Sequence, residues 1–156
     1  MMQLNPDVKS VWTIYYIRRT LFFIVITLAL DYFALSEIPK WPFFIGFTPL
    51  VVFFIGLITT IVMPRLKYKY WFFELRADEL YLKRGVLTKI DSTAPYCRIQ
   101  HIDISQNVVE RLFHLSRLVI YTAGTKGADL IIPGLPHYYA QELQTKLKEY
   151  TVEDAV

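Results

Sequence analysis

Two long apolar runs dominate the pattern of hydrophobic and polar positions. The run FFIGFTPLVVFFIGLITTIVM, residues 43–63, has 21 residues and no charged side chain. A helix of this length extends about 31 Å, enough to cross a hydrocarbon core of about 30 Å. The earlier run, residues 20–35, is interrupted only by Asp31. The pattern predicts transmembrane helices at 20–38 and 43–63, joined by a short external loop at 39–42.

The ends of the two runs have the features of membrane interfaces. The first helix is allowed to begin near residue 12, because Arg18 and Arg19 can extend back toward the headgroups. Pro49 is tolerated in the second helix if a neighbouring helix or the Thr48 hydroxyl satisfies the freed carbonyl. Aromatic residues typical of interfacial belts flank both sides of the first run: Trp12, Tyr15, Tyr16, Tyr32 and Trp41.

Two alternatives concern the first run. Asp31 lies near its far end, so its charge is expected close to the opposite interface, and a functional carboxylate inside the membrane is the competing hypothesis. The triplet Ala34-Leu35-Ser36 places small residues where a signal peptidase cleaves. However, the leader would be long, and Asp31, Tyr32 and Phe33 crowd the cleavage region. The two-span hairpin is therefore favoured.

The positive residues flanking the runs predict the orientation. The connecting segment SEIPKWP, residues 36–42, contains Lys40 as its one cation, near Glu37, whereas further cations lie before the first span and after the second. Lys and Arg remain on the cytoplasmic side of a membrane, so both termini are expected there, with residues 1–19 as a cytoplasmic N-terminal segment. The cations concerned are Lys9, Arg18, Arg19, Arg65, Lys67 and Lys69.

After residue 63 the pattern changes to a period of two, which is typical of strands. The segment 65–75 alternates cation and apolar residue, so it is predicted to leave the membrane extended, with Arg65, Lys67 and Lys69 on one face toward anionic headgroups. RADE at 76–79 and Gly85 predict turns. Further strands are predicted at 80–84, 86–91, 98–105, 117–124 and 128–134.

Helical spacing appears twice in this part. NVVERLFHL, residues 107–115, predicts a short helix or an irregular packed insert. Residues 136–150 predict an amphipathic helix that covers the sheet, followed by a tail at 151–156. Gly124 and Gly127 are expected to flank a hairpin connection. The predicted fold class is an α+β membrane protein: a two-helix hairpin, then a cytoplasmic PH-like antiparallel β barrel or sandwich at 64–150 with a C-terminal helix.

Composition and charge restrict the function classes. Of the 156 residues, 54% are hydrophobic, and the net charge is +3. From Tyr70 onward there are ten Lys/Arg and eleven Asp/Glu, so the folded part is nearly neutral, unlike a nucleic-acid-binding domain. The single cysteine, Cys97, excludes an intramolecular disulfide.

The stretch CRIQHIDISQ, residues 97–106, contains the residues most suggestive of chemistry. On a strand, Ile99, His101 and Asp103 share one face, and Gln100, Ile102 and Ile104 the other. Cys97 lies about 13 Å along the strand from His101, too far for a thiolate–imidazole pair. No spacing typical of metal ligands, phosphate-binding loops or nucleophile motifs occurs. We therefore expect no catalytic, cofactor or metal site, and no enzyme.

Three sequence blocks are specific to a known family. RIQHIDISQ, ERLF and YTAG follow a two-span hairpin and precede IIPGL and an amphipathic helix, and together they resemble the bacterial PH-domain membrane family of YdbS-like proteins. The resemblance implies a PH-like fold on the cytoplasmic face of a bacterial membrane. It implies no defined activity and no catalytic residues.

The favoured function is protein interaction or assembly at the inner face of the cell membrane, with a membrane protein or a second copy as partner. Contact with anionic lipid headgroups is one alternative, and an accessory role in an envelope export or defence system is another. Salt bridges among Glu110, Arg111, Arg98 and Arg117 are expected to join the 107–115 insert to the sheet. The candidate interaction face is Arg98, Gln100, His101, Asp103 and Arg111. The candidate lipid contacts are Arg65, Lys67, Lys69, Lys83 and Arg84.

Overall fold

The computed structural model describes residues 2–37, 46–123 and 130–153. The chain forms two compact units. One, the folded unit, consists of Met1–Val11 together with Leu66–Val156. The other, the hairpin unit, is Trp12–Arg65. The folded unit is therefore assembled from both ends of the chain, with the hairpin unit inserted in its sequence.

Two long helices contain the apolar runs. Helix α1 is Val8–Glu37 and helix α2 is Phe47–Lys69. Both are long and apolar enough to cross a membrane, over Val8–Phe33 and Phe47–Lys69. Their large apolar side chains are mostly exposed, as expected of surfaces that contact lipid. The predicted external loop at 39–42 and the predicted start of the second span at 43–45 lie outside the described residues.

The second helix is longer at its carboxyl end than predicted. The cation-rich segment 65–69 is helical, so the strand predicted to begin at Arg65 is wrong in this part. Cations in a last helical turn interact favourably with the helix dipole, and Lys67 and Lys69 occupy that turn. Pro49 lies in the first turn of α2, where a proline removes no intrahelical hydrogen bond. The Thr48 hydroxyl donates instead to Asp31 Oδ1, at 3.2 Å.

The two helices approach closely at Gly56. A Cβ atom there would overlap the Thr20 side chain, at both Cγ2 and Oγ1. The Thr20 hydroxyl donates to the Tyr16 carbonyl at 2.9 Å, so its polar atom is satisfied within α1. A glycine opposite a threonine is a small-residue contact of the kind that membrane helices use to pack.

The described residues of the folded unit form two antiparallel sheets. The first, sheet A, has the strand order β1 (Met2–Gln3), β2 (Phe72–Leu75), β3 (Glu79–Arg84) and β4 (Ile90–Pro95). The second, sheet B, has the order β5 (Ile99–Ser105), β6 (Leu115–Thr122) and β7 (Leu130–Pro136). Helix α3, Val108–Leu112, lies between β5 and β6, and helix α4, His137–Glu153, follows β7. This is the predicted PH-like arrangement.

The strand predicted at 86–91 has different bounds in the structure. The strand predicted at 86–91 begins only at Ile90, because residues 85–89 form the loop of the β3–β4 hairpin. Gly85 has φ +115° there, in the region that favours glycine. The predicted connection between Gly124 and Gly127 and the end of the predicted tail lie outside the described residues.

Residues 2–11 belong to the folded unit, whereas the sequence predicted a separate segment at 1–19. Strand β1 pairs with β2, Met2 opposite Phe73. Leu4, Val8 and Val11 are almost completely buried. The Asn5 amide donates to the Gly134 carbonyl at 3.1 Å. The start of the chain therefore supplies an edge strand and part of the core.

The core lies between the sheets and helix α4. The predicted apolar face of α4 is confirmed for Ala140, Leu143 and Leu147, which are fully buried, whereas Tyr150 on the same face is 37% exposed. Tyr150 stacks on the buried Tyr96, with ring centroids 5.0 Å apart. The strands contribute mainly leucine, isoleucine and phenylalanine to this core: Phe73, Leu80, Leu82, Ile102, Leu118, Ile120, Ile132 and Leu135.

Candidate interaction face

The outer face of strand β5 presents a pair of polar side chains. His101 Nε2 lies 2.6 Å from Asp103 Oδ1, and their side chains are 66% and 48% exposed. Tyr121 lies on β6 opposite His101, and the centroids of its ring and of the imidazole are 5.9 Å apart. Alternation along a strand predicted that His101 and Asp103 share a face, and the structure places them in contact. This exposed group can offer hydrogen bonds and an aromatic surface to a partner.

A β-bulge changes the alternation at the start of β5. The register with β6 shifts between Ile99 and His101, which leaves Gln100 as the extra residue. Ile99 and Ile102 are consequently both buried, while Gln100 is exposed. The prediction that Ile99 shares a face with His101 is therefore wrong, because strict alternation does not hold across a bulge.

The edge of β5 is partly covered by helix α4. Gln144 Nε2 donates to the Ile102 carbonyl at 2.6 Å. Beside this contact is an open depression of about 270 Å³, lined by both β5 and α4 residues. A partner strand pairing at Ile102 would have to displace Gln144, so the polar face is more accessible than the sheet edge. The lining residues are Ile99, Gln100, His101, Ile102, Lys148 and Thr151.

The two arginines of the candidate face lie away from the His101–Asp103 pair. Arg98 ends the short 3₁₀ turn before β5, and Arg111 belongs to helix α3 after β5. At about 3.3 Å per residue, the seven residues of β5 separate them by roughly 20 Å. Both are exposed. The structure thus brings together His101 and Asp103 and leaves Arg98 and Arg111 at opposite ends of the strand, while Gln100 lines the depression together with His101.

Cys97 does not join the polar pair. It is exposed in the 3₁₀ turn Tyr96–Arg98, outside strand β5. Within the described parts of the chain, no three His, Cys, Asp or Glu side chains lie close enough to hold a metal ion. The geometry of this region is that of a surface rather than of a cleft with converging reactive groups.

Helix α3 is held in place by a buried carboxylate. Glu110 is buried, and its two oxygens receive Arg117 Nε at 3.1 and 3.2 Å and Nη2 at 2.8 Å. Glu110 Oε2 also accepts the Asn107 amide at 2.8 Å, as part of a capping box. The predicted salt bridge between the insert and the sheet is confirmed for Glu110 and Arg117. Asn107 followed by Glu110 three residues later was the sequence signal for this helix start.

Two apolar side chains of α3 face outward, which sequence reasoning missed. Val108 is 75% exposed and Leu112 is 73% exposed. They are four residues apart, so they lie on one side of the helix. The apolar spacing of residues 107–115 indicated a packed helix or insert without saying which side is exposed, and the buried side of α3 is occupied by the ion-paired Glu110. Such an exposed apolar pair on a helix held in place by an ion pair is available for contact with a protein.

The candidate lipid contacts near the membrane do not form one strand face. Arg65 and Lys69 are four residues apart on helix α2 and share a side, whereas Lys67 points roughly the opposite way. Arg65 Nη1 also donates to the Ile61 carbonyl at 2.8 Å. Lys83 and Arg84 end strand β3 and are partly exposed.

The carboxylate of Asp31 accepts hydrogen bonds from two residues of the hairpin unit. Its Oδ2 accepts the Gly46 amide at 3.1 Å, and its Oδ1 accepts the Thr48 hydroxyl at 3.2 Å. Both donors lie at the amino end of α2, where backbone amides lack intrahelical partners and a negative charge is favoured. Asp31 therefore caps the second helix.

Comparison with known proteins decides the family. The model of the bacterial PH domain family matches residues 14–151. The chain belongs to the bacterial PH domain family. It is 27% identical over 146 residues to the UPF0699 transmembrane protein YdbS of Bacillus subtilis (strain 168), covering 93% of this chain and 89% of that protein. The predicted resemblance is confirmed.

A second relative in the same organism is longer. The chain is 30% identical over 120 residues to the UPF0699 transmembrane protein YdbT, covering 67% of this chain but 24% of that protein. No solved structure matches the chain. The family and the name of YdbS agree with an α+β chain containing two candidate membrane helices, and neither relative's name states an activity.

Proposed function

We propose that the chain is a non-enzymatic, membrane-anchored PH-like module that binds another membrane protein, or a second copy of itself, at the cytoplasmic face of a bacterial cell membrane. The observation that supports this most is the exposed apolar pair Val108 and Leu112 on a rigid helix. The Glu110–Arg117 contact holds α3 in place before binding, which lowers the ordering cost of an interaction through this pair.

The polar pair on β5 adds specificity to this proposal. His101, Asp103 and Tyr121 present donors, acceptors and a ring on the surface of sheet B. Protein interfaces combine apolar contacts at their centre with polar groups at their rim. We place the apolar contact on α3 and the polar contact on β5, which are consecutive in the chain.

The proposed topology is a two-span membrane protein with both termini in the cytoplasm. The membership of residues 2–11 and 66–153 in one folded unit supports placing the segments before and after the helices on the same side of the membrane. An even number of spans satisfies this arrangement. A cleaved signal peptide does not, because cleavage near Ser36 would remove buried Leu4 and Val8. The cations around the two spans favour the cytoplasmic side.

The proposal is tested by photocrosslinking in the cells that make the full chain. A photoreactive phenylalanine analogue is placed at Val108, at His101 and, as a matched control, at Gln141, which is exposed on α4. We expect discrete adducts from Val108 and His101 and none from Gln141. The same complex, purified without irradiation, should persist in neutral detergent at raised salt, because apolar contacts are not screened. Equal, diffuse labelling from all three positions would overturn the proposal.

A further inference from the structure

Leu87 is the most exposed large apolar side chain in the described part of the chain. It is 90% exposed, at the tip of the β3–β4 hairpin. It belongs to the folded unit, so the lipid contacts of the two candidate spans do not account for it. Ile90, on the same hairpin, is also exposed.

The hairpin holds this tip in a defined conformation. The pairing of β3 with β4 continues to Arg84 opposite Ile90. Gly85 then turns the chain with φ +115°, and a Cβ atom there would overlap the Thr88 carbonyl oxygen. Leu87 is therefore presented by a tight loop between paired strands.

Cations surround the apolar tip. Over residues 83–91 there are three basic residues, Lys83, Arg84 and Lys89, against Asp91 alone. Asp91 lies opposite Lys83 in the sheet register, so the positive charge is greatest nearest the tip. An apolar residue flanked by cations is suited to an anionic lipid interface, where the side chain enters the acyl boundary and the cations meet headgroups.

The register of sheet A places this tip at the end of the sheet where strand β2 begins, shortly after helix α2. Lys83 pairs with Phe72, and Phe72 is three residues beyond Lys69, the last residue of α2. The turn between β2 and β3, by contrast, is at the opposite end of these strands. Only a few residues separate the second candidate span from this end of the sheet. If that span lies in a membrane, this end of the sheet is therefore tethered close to it along the chain.

We propose that the β3–β4 tip, residues 84–90, inserts into the surface of an anionic bilayer, with Leu87 as the apolar contact and Arg84 and Lys89 as the headgroup contacts. This adds a lipid contact on sheet A, separate from the protein-binding face on sheet B and α3. Either proposal can fail without the other.

The test uses the full chain with Cys97→Ser, one copy per lipid nanodisc. An environment-sensitive fluorophore is attached at Leu87→Cys and, as a matched control, at Ala77→Cys, which is exposed in the β2–β3 turn. In discs containing phosphatidylglycerol, we expect a blue-shifted emission at position 87 that is quenched by lipids spin-labelled just below the headgroup. Position 77 should report water and resist quenching.

A second variant separates lipid insertion from other causes. Arg84→Glu with Lys89→Glu, in the Leu87→Cys background, should reduce both the shift and the quenching, and raised salt should do the same. Matching spectra at positions 87 and 77 would overturn the proposal. So would a shift that requires a second protein copy in the disc, because protein contact would then bury Leu87. Unchanged protease resistance of the variants verifies that the folded unit is intact.

Discussion

The burial of Leu4 in the folded unit leads to a quantitative prediction. Leu4 is almost completely buried, two residues after β1 begins. Replacing a buried leucine by alanine removes its transfer free energy and leaves a cavity, which costs about 2–5 kcal/mol. Leu87→Ala is the matched control, since Leu87 is exposed and its loss should change the free energy of unfolding by no more than about 0.5 kcal/mol.

Both variants are measured in the full chain in detergent, by thermal unfolding of the folded unit. A unit of about 100 residues loses about 4–8 °C per kcal/mol, so Leu4→Ala should unfold at least about 8 °C below Leu87→Ala. Limited proteolysis should show earlier cleavage between residues 70 and 150. Equal unfolding temperatures and equal cleavage would show that residues 2–11 do not belong to the core, and the fold described here would then be wrong at its first strand.

Three further predictions concern buried contacts. Glu110→Gln should destabilise the folded unit by about 1–3 kcal/mol, because its ion pair is lost, whereas exposed Arg111→Gln should have little effect on chemical denaturation. Gly56→Ala should weaken helix packing by about 1–3 kcal/mol, and adding Thr20→Ala to this variant should relieve most of the loss. Additive effects of the two substitutions in a double-mutant cycle would contradict the contact. Asp31→Ala should cost about 1 kcal/mol through the lost helix cap, and Asp31→Asn less; equal losses in steric-trapping measurements would argue against capping.

The sequence predicted the elements whose patterns are local. The two apolar helices, the C-terminal amphipathic helix and the strands β3, β5, β6 and β7 all appear near their predicted positions. Each has a clear period or a long apolar run. The contact between His101 and Asp103 also followed from the period of two.

What the sequence did not predict depends on contacts distant in the chain or on competing local signals. Nothing local marks Leu4 and Val8 as core residues, because their partners lie beyond residue 65. Cations alternating with apolar residues at 65–69 fit either a strand or the end of a helix, and the helix dipole favours the helix. The bulge at Gln100 shifted the pattern by one residue.

Strand β1 pairs with a strand made some seventy residues later, Met2 opposite Phe73. The chain between these two strands, which contains the hairpin unit, is therefore closed into a ring by the hydrogen bonds of β1 with β2. During synthesis the ring stays open until both helices have been made and the later strands have emerged. In the proposed two-span topology, a nascent chain that leaves one helix uninserted would separate its two arms across the bilayer, and the ring would then not close. Correct insertion would thereby be a condition of folding, and misoriented chains would expose an unfinished core to proteolysis.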